Sequence, residues 1–124
     1  MESEKRVTCQ KKIILDYLKS VQTHPSAEII FKKVRKKLPR ISLGTVYRNL
    51  KVMKERGDIL EISSQIARYD GDVSPHSHFV CEKCGKIFDV FQKIKMPKLN
   101  KIKVEPVKHI KNYQIYFYGA CKKC

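Results

Sequence analysis

The length, charge and cysteine content of this chain exclude several classes of protein at the outset. A chain of 124 residues suits one ordinary domain or two very small ones. It has no apolar amino-terminal segment and no run near the roughly 18 apolar residues of a membrane span, so we expect a cytoplasmic protein with no membrane partner. The net charge of +15 makes nucleic acid the leading partner and opposes self-association unless a specific dimer interface answers it.

The first half of the chain predicts three helices. Apolar residues recur at helical spacing over 9–20, 27–38 and 43–56, with Pro39 ending the second helix and Gly57 following the third. The predicted N-caps are Thr8, Ser26 and Ser42. On the third helix, Val46, Leu50 and Met53 are expected to face inward. Thr45, Arg48, Asn49 and Lys51 are expected on its other faces.

The period then changes from helical to alternating. Residues 59–63 and 66–70 read as two short strands joined by a polar turn. Three helices followed by a β-hairpin predict a winged helix-turn-helix over residues 1–71, in which the third helix enters the DNA major groove. A small helical bundle with a solvated basic surface is the alternative.

The second half of the chain predicts a separate small domain. Residues 72–75 have no periodicity and are predicted as a hinge, and the domain covers 76–124. Its strands are expected at 79–81, 87–91 and 114–118, with a short helix between Pro97 and Lys103. Both faces of the last strand are largely apolar, which favours packing against a second copy of the chain. The unusually basic segment 93–111, in which His109 reads as an ordinary exposed histidine, leaves the details of that interface open.

Four of the five cysteines form two C-x-x-C pairs, and 36 residues separate the pairs. The four are Cys81, Cys84, Cys121 and Cys124. Two such turns can close a tetrahedral thiolate cage with no open position, which predicts one structural zinc ion per chain. Gly85 suits the turn because it is free to take a positive φ. Four unligated thiols or two disulfides are the alternatives. Cys9 is left over and is predicted to be a small buried residue.

A second candidate metal site begins with the H-x-H of His76 and His78. Alternate residues of a strand point the same way, so the two rings can chelate one ion. His24, Asp70 and Asp89 are less specific when taken singly, because a loop histidine and two acids at strand ends are ordinary features.

With these parts in place, the chain from about Arg6 to its end resembles the ferric uptake regulator (Fur) family of metal-dependent bacterial repressors. The stretches that carry the resemblance are R-V-T-C-Q, T-H-P-S-A-E-I-I, I-S-L-G-T-V-Y-R-N-L, A-R-Y-D, H-S-H-F-V-C-E-K-C-G-K-I-F-D and Y-F-Y-G-A-C-K-K-C. The resemblance implies an α+β protein: an N-terminal winged helix-turn-helix domain, then a small α/β dimerisation domain with a four-cysteine zinc site. It also implies that Tyr47 and Arg48 contact bases and that Arg6 approaches the minor groove. Lys51 on the same helix is expected to contact phosphate.

The regulatory site of the family's peroxide-responsive, PerR-like branch has three histidines and two aspartates. By resemblance they fall here on His24, Asp70, His76, His78 and Asp89. Nitrogen and hard oxygen ligands suit one Fe(II) or Mn(II) ion per chain. The resemblance further implies that His24 and His76 are the oxidation-sensitive residues. The iron-sensing branch has an additional site that needs an acid between the two histidines and a histidine near the final strand. This chain carries Ser77 and Tyr113 at those positions.

The predicted function is therefore a homodimeric, metal-dependent repressor that binds a palindromic DNA operator. It would sense peroxide through Fe(II)-catalysed oxidation of ligand histidines, with no enzymatic turnover and no small-molecule substrate. One alternative is a Fur-type repressor that senses iron or manganese availability. A different class is a non-haem iron enzyme, since two histidines and a carboxylate also form that facial triad. A zinc-ribbon nucleic-acid adaptor with no sensing role is the last alternative.

Overall fold

The computed structural model describes residues 2–124, with side chains described from Thr8 onward. The chain divides into two compact units, the first ending at Ser74 and the second spanning Pro75–Cys124. Helices dominate the first unit and strands the second, so the predicted α+β class is confirmed. In the described part of the chain, no helix combines the length and the apolar character needed to cross a bilayer.

Three α-helices build the first unit. They are α1 at Glu2–Ser20, α2 at Ala27–Val34 and α3 at Leu43–Arg56. The first begins earlier than predicted, and Thr8 lies inside it, because the residues before Thr8 include good helix formers such as Glu and Lys. The second ends at Val34, where the N–H groups of Lys37 and Leu38 both donate to its carbonyl oxygen at 3.0 and 2.9 Å. This tightened last turn precedes Pro39, whose preceding residue is disfavoured in helical conformation.

The N-caps predicted for α2 and α3 are confirmed. The Ser26 hydroxyl accepts from the Ile29 N–H at 3.4 Å, and the Ser42 hydroxyl accepts from the Thr45 N–H at 3.1 Å. Both caps have extended backbone angles, as N-cap residues do. At the other end of α3, Gly57 is the C-cap, as its position in the sequence predicts.

One apolar core holds the three helices together. Val46, Leu50 and Met53 are buried in it, as predicted. Its other members are Ile14, Leu18, Ala27, Ile30, Val34, Ile41, Ile59 and Tyr69. Asn49 was expected on an outer face but is buried. Its side-chain amide donates to the Thr45 carbonyl oxygen at 3.0 Å and to Gln10 Oε1 at 3.3 Å, so the buried polar group is hydrogen-bonded.

Cys9 lies on α1 and is exposed, so the prediction of a small buried residue is wrong. From Thr8 onward, the buried positions of this helix are Ile14 and Leu18. Cys9 precedes Ile14 by five residues, which turns it by roughly 140° around the helix, away from the core.

A two-stranded antiparallel sheet completes the first unit. β1 spans Leu60–Ile62 and β2 spans Arg68–Asp70, with Leu60 paired to Asp70. Both strands are shorter than predicted. Three helices followed by this hairpin have the element order of a winged helix-turn-helix.

The chain leaves β2 through Gly71, which lies against the end of α1. A Cβ atom at Gly71 would be 2.9 Å from the Leu18 carbonyl carbon and 2.9 Å from the Lys19 nitrogen. Those are backbone atoms of a helix and cannot move aside like a flexible side chain. Only glycine allows this approach, so the position that follows Asp70 requires a glycine.

The second unit is a three-stranded sheet. Its strands are β3 at Ser77–Cys81, β4 at Ile87–Val90 and β5 at Tyr116–Gly119, in the order β4-β3-β5. The central strand pairs antiparallel with β4 and parallel with β5. The parallel strands β3 and β5 are connected through β4 and the long segment 91–115. The helix expected in it is a single 3-10 turn at Leu99–Lys101, and the backbone is already extended at the β-branched residue Ile102.

We expect Gly71→Ala to destabilise the first unit by about 1 to 3 kcal/mol, because the added methyl group overlaps backbone atoms of α1. Gly44→Ala is the matched control, since its Cβ would meet the Arg48 Nη1 atom at an ordinary 3.6 Å inside a helix. Urea unfolding of both variants measures the difference. Equal stability of the two variants would contradict the close approach described for Gly71.

Candidate metal centres and nucleic-acid interface

The four cysteines of the two C-x-x-C pairs meet in the second unit. One sulfur atom from each lies within 4.8 Å of the others. The Sγ–Sγ distances are 3.8 Å for Cys81 and Cys124, 3.7 Å for Cys84 and Cys121, and 3.5 Å for Cys121 and Cys124. Four sulfurs at about 2.3 Å from a tetrahedral ion would lie about 3.8 Å apart. A disulfide needs about 2.05 Å, so the disulfide alternative is wrong.

Backbone N–H groups point at the Cys81 sulfur. They come from Cys84 at 3.5 Å and from Cys121 at 3.4 Å. Donation from Cys84, then from Cys121, lowers the pKa of the Cys81 thiol to about 6, which favours the thiolate form that binds metal. Gly85 closes the turn with φ 77°, as predicted, and its N–H donates to the Cys81 carbonyl oxygen.

In the C-terminal C-x-x-C pair, the pKa values of the two thiols shift in opposite directions. Hydrogen bonding with Cys124 lowers the pKa of Cys121, whereas hydrogen bonding with Cys121 and then Cys84 raises the pKa of Cys124 to about 12. One thiol therefore ionises easily and its neighbour resists a second negative charge. A divalent cation at the centre would remove that repulsion, so the donor set fits a thiolate-bound metal.

His24 and Asp70 form a buried pair in the first unit. The His24 Nε2 atom lies 3.4 Å from Asp70 Oδ2, and the two side chains are only 2% and 6% exposed. His24 has φ 53°, the left-handed region, which is uncommon for any residue other than glycine. It also stands directly before Pro25, a position biased towards extended backbone. Such a conformation costs on the order of 1 to 3 kcal/mol and is typical of functional sites.

Strand β2 fixes this segment from one side. The Tyr69 N–H donates to the Pro25 carbonyl oxygen at 3.0 Å, and Arg68 Nη1 donates to the His24 carbonyl oxygen at 3.4 Å. Asp70 Oδ1 accepts from the Asp72 N–H at 2.9 Å, which orients the carboxylate. Segment 24–26 is thus held against β2, with the imidazole beside Asp70.

The second unit carries its own set of nitrogen and oxygen donors. Asp89 Oδ1 lies 3.0 Å from His76 Nε2 and 3.3 Å from His78 Nε2. His78 and Asp89 are direct partners in the β3–β4 register, and the two imidazole centroids are 4.5 Å apart. Both rings therefore lie on the same side of the sheet, as alternate positions require. Two nitrogens and one carboxylate converge here, a donor set suited to Fe(II), Mn(II) or Zn(II).

Two aromatic neighbours of these histidines were missed by the sequence analysis. The ring centroid of Phe91 lies 4.9 Å from that of His76, and the ring centroid of Tyr116 lies 6.2 Å from that of His78. The β3–β5 register pairs His78 with Tyr116, but neither the parallel pairing nor its register can be read from strand patterns. The two aromatic rings restrict the orientation of the imidazoles.

The predicted base-contacting residues lie on α3 and are exposed. Tyr47 is 44% exposed, and its hydroxyl donates to Glu28 Oε1 at 3.1 Å, a hydrogen bond that raises the pKa of Tyr47. Arg48 Nη2 donates to Thr45 Oγ1 at 2.9 Å. Lys51 is exposed on the same helix. The side chain of Arg6, predicted to approach the minor groove, lies outside the described residues.

Comparison with known proteins identifies the family of this chain. The model of the ferric uptake regulator family matches residues 2–118. The chain therefore belongs to the ferric uptake regulator family, and the resemblance is confirmed.

Three individual proteins of known name are similar to this chain in sequence or structure. The peroxide-responsive repressor PerR of Staphylococcus aureus is 37% identical over 126 residues, covering 96% of this chain and 82% of that protein. The crystal structure of the Campylobacter jejuni peroxide stress regulator superposes with a TM-score of 0.77 at 33% identity, covering 99% of this chain and 94% of that one. The Helicobacter pylori ferric uptake regulator Fur gives 0.71 at 23% identity, covering 93% and 79%, which supports the fold.

Proposed function

We propose that the protein is a homodimeric, metal-dependent DNA-binding repressor that senses peroxide through its ligand histidines. One observation carries this proposal: each unit holds its own histidine–carboxylate set, the buried pair His24 and Asp70 in the first and the partly buried set of His76, His78 and Asp89 in the second. Relatives at 37% and 33% identity are named for a response to peroxide, which supports the same function for this chain.

The structural metal of the proposal is zinc, one ion per chain. Four thiolates form a closed tetrahedral set, and such sets are typical of structural zinc. The spacing of the sulfurs and the N–H groups directed at Cys81 support this assignment. A closed site leaves no position for a reactant, so this ion would stabilise the second unit and take no part in sensing.

The regulatory ion would be a single Fe(II) or Mn(II) per chain, held by the donors of both units. Its ligands would be His24, Asp70, His76, His78 and Asp89. Three imidazoles and two carboxylates suit either ion, and the carboxylates neutralise its charge. Because both units would contribute ligands, the ion would favour the arrangement of the units that binds DNA. Moving the population from mostly open to mostly closed takes about 10⁴-fold tighter binding to the closed form.

Peroxide would act on the ligand set. A bound Fe(II) ion supplies the electron that cleaves peroxide. One oxygen atom of peroxide would be added to a ring carbon of His24 or His76 and the other would leave as water, so that peroxide takes two electrons from the ring overall. An oxidised imidazole is a poor ligand, so the set would lose affinity and the DNA-binding arrangement would no longer be favoured. The four cysteines would stay reduced, because their sulfurs are coordinated.

DNA would be read by α3. Tyr47 and Arg48 would contact base edges, Lys51 would contact phosphate and Arg6 would approach the minor groove. The exposed positions of the three described side chains support this assignment. A twofold-symmetric dimer would read a palindromic operator.

The proposed dimer would form through the second unit. Large apolar side chains are exposed there, which is unusual for a monomer and typical of an interface. They are Phe88, Phe91, Ile94, Met96, Val104, Val107, Tyr113, Phe117 and Tyr118.

We expect Cys81→Ser and Cys124→Ser each to lose the zinc ion, the dimer and the fold of the second unit, because structural zinc contributes on the order of 10 kcal/mol or more to folding. Cys9→Ser is the matched control, since its exposed thiol lies outside the cluster. Native mass spectrometry gives the zinc content and the oligomeric state. A stable, DNA-competent dimer of Cys81→Ser would contradict the structural role of the ion.

We expect Arg48→Ala to cost about 1 to 3 kcal/mol of specific DNA binding and to relax base preference, because a guanidinium reads guanine through two hydrogen bonds. Lys51→Ala should weaken binding to all sequences alike. Fluorescence anisotropy on a selected duplex and its scrambled version measures both effects. Equal losses on the two duplexes for Arg48→Ala would show that α3 does not read the sequence.

We expect peroxide to release the iron-loaded protein from DNA and to leave one added oxygen atom on His24 or His76, because an oxidised imidazole no longer binds the ion. The manganese-loaded protein should bind the same DNA and resist peroxide, since Mn(II) does not readily reduce it. Anisotropy combined with peptide mass spectrometry measures both.

Release of the iron form without histidine oxidation, or an equal response of the manganese form, would contradict this mechanism. DNA binding that follows only the supply of metal would instead favour a sensor of iron or manganese availability.

A further inference from the structure

The hydroxyl of Thr45 connects the N-terminus of α3 to the Arg48 guanidinium. Its oxygen lies 2.9 Å from the Ser42 hydroxyl oxygen and accepts from Arg48 Nη2 at 2.9 Å. The Ser42 oxygen also accepts from the Thr45 N–H at 3.1 Å, which is the N-cap bond. If Thr45 donates its hydroxyl proton to Ser42, each of these three hydrogen bonds has one donor and one acceptor. The sequence positions 42, 45 and 48 lie on one face of the helix, one turn apart.

This contact fixes a side chain that is otherwise free to rotate. Arg48 is exposed, and a long exposed side chain loses rotamer entropy when it is held in one geometry. The bond to Thr45 turns the guanidinium back towards the start of α3. There the Arg48 Nη1 atom lies 3.6 Å from the Cβ position of Gly44. The N-terminal residues of a recognition helix are those that meet base edges.

We propose that Thr45 is a positioning residue for DNA readout, acting through Arg48. The inference rests on the proposed base contact of Arg48 and adds the residue that prepares it. Only one of the five N–H donors of the guanidinium is used by Thr45, so a pair remains for the two acceptors of guanine. The guanidinium is then already ordered in the free protein, so less rotamer entropy is lost when DNA binds.

Thr45→Val removes the hydroxyl while keeping the shape of the side chain and the backbone N–H that serves the Ser42 cap. Affinity for a duplex selected from a random library is compared with affinity for its scrambled version, using the manganese-loaded full chain. We expect the ratio of the two affinities to fall about fivefold in Thr45→Val and to stay near wild type in Thr45→Ser. In the double variant Thr45→Val/Arg48→Ala it should be no lower than in Arg48→Ala alone.

Thermal unfolding identifies any variant that fails to fold, and Thr45→Ala, a better helix former, then replaces Thr45→Val. An unchanged ratio in Thr45→Val, together with a reduced ratio in Arg48→Ala, overturns the role of Thr45 and leaves the proposed DNA contact intact. An unchanged ratio in Arg48→Ala overturns both. A fall in the Thr45→Val ratio that Thr45→Ser does not restore also overturns the hydroxyl's role.

Discussion

The cluster of four cysteines is the constraint on which the second unit depends. Among the described residues of this unit, only Val80, Cys81 and Ile87 are buried apolar side chains, against twelve in the first unit. Fifty residues with so small a core do not bury enough surface to be stable alone. The cluster joins the end of the central strand to the segment after β5. A metal bound there adds folding free energy that the core does not provide.

The remaining features of the second unit follow from that cross-link. His78 and Asp89 face each other only because β3 and β4 keep their register, and Cys81 ends β3 while Cys84 lies in the turn between these strands. Phe117 and Tyr118 lie on β5, and their placement depends on the pairing of β5 with β3. Loss of the cluster would thus disturb the proposed regulatory ligands of this unit and the proposed dimer surface together. The first unit has its own core and holds His24 in a strained conformation by hydrogen bonds from β2.

Local signals in the sequence predicted the parts of the structure that depend on local chemistry. Ser26 and Ser42 cap their helices because each has a hydroxyl within reach of the N–H three residues later. Gly85 takes a positive φ because the cysteine turn requires it. The spacing of the two C-x-x-C pairs predicted the cluster because each turn already brings two sulfurs together.

Features that depend on contacts between distant segments could not be predicted in this way. The burial of Asn49 depends on Gln10 of another helix, and the close approach of Gly71 depends on the end of α1. The burial of Cys9 was predicted from its residue type alone, whereas its angular position relative to Ile14 on the helix makes it exposed. The ligand residues themselves were assigned by family resemblance. A lone histidine before a proline carries no signal that it will lie beside an aspartate 46 residues later.

The central proposal is that one regulatory ion would be held by donors from both units. A titration of Mn(II) into the zinc-loaded protein, followed by electron paramagnetic resonance of free Mn(II), tests it directly. The matched variants are His24→Ala in the first unit and His78→Ala in the second. The claim predicts one manganese ion per chain and a loss of affinity of at least about tenfold in each variant, as expected when a first-row metal loses an imidazole ligand. Two independent manganese sites per chain, each weakened by only one of the variants, would contradict it.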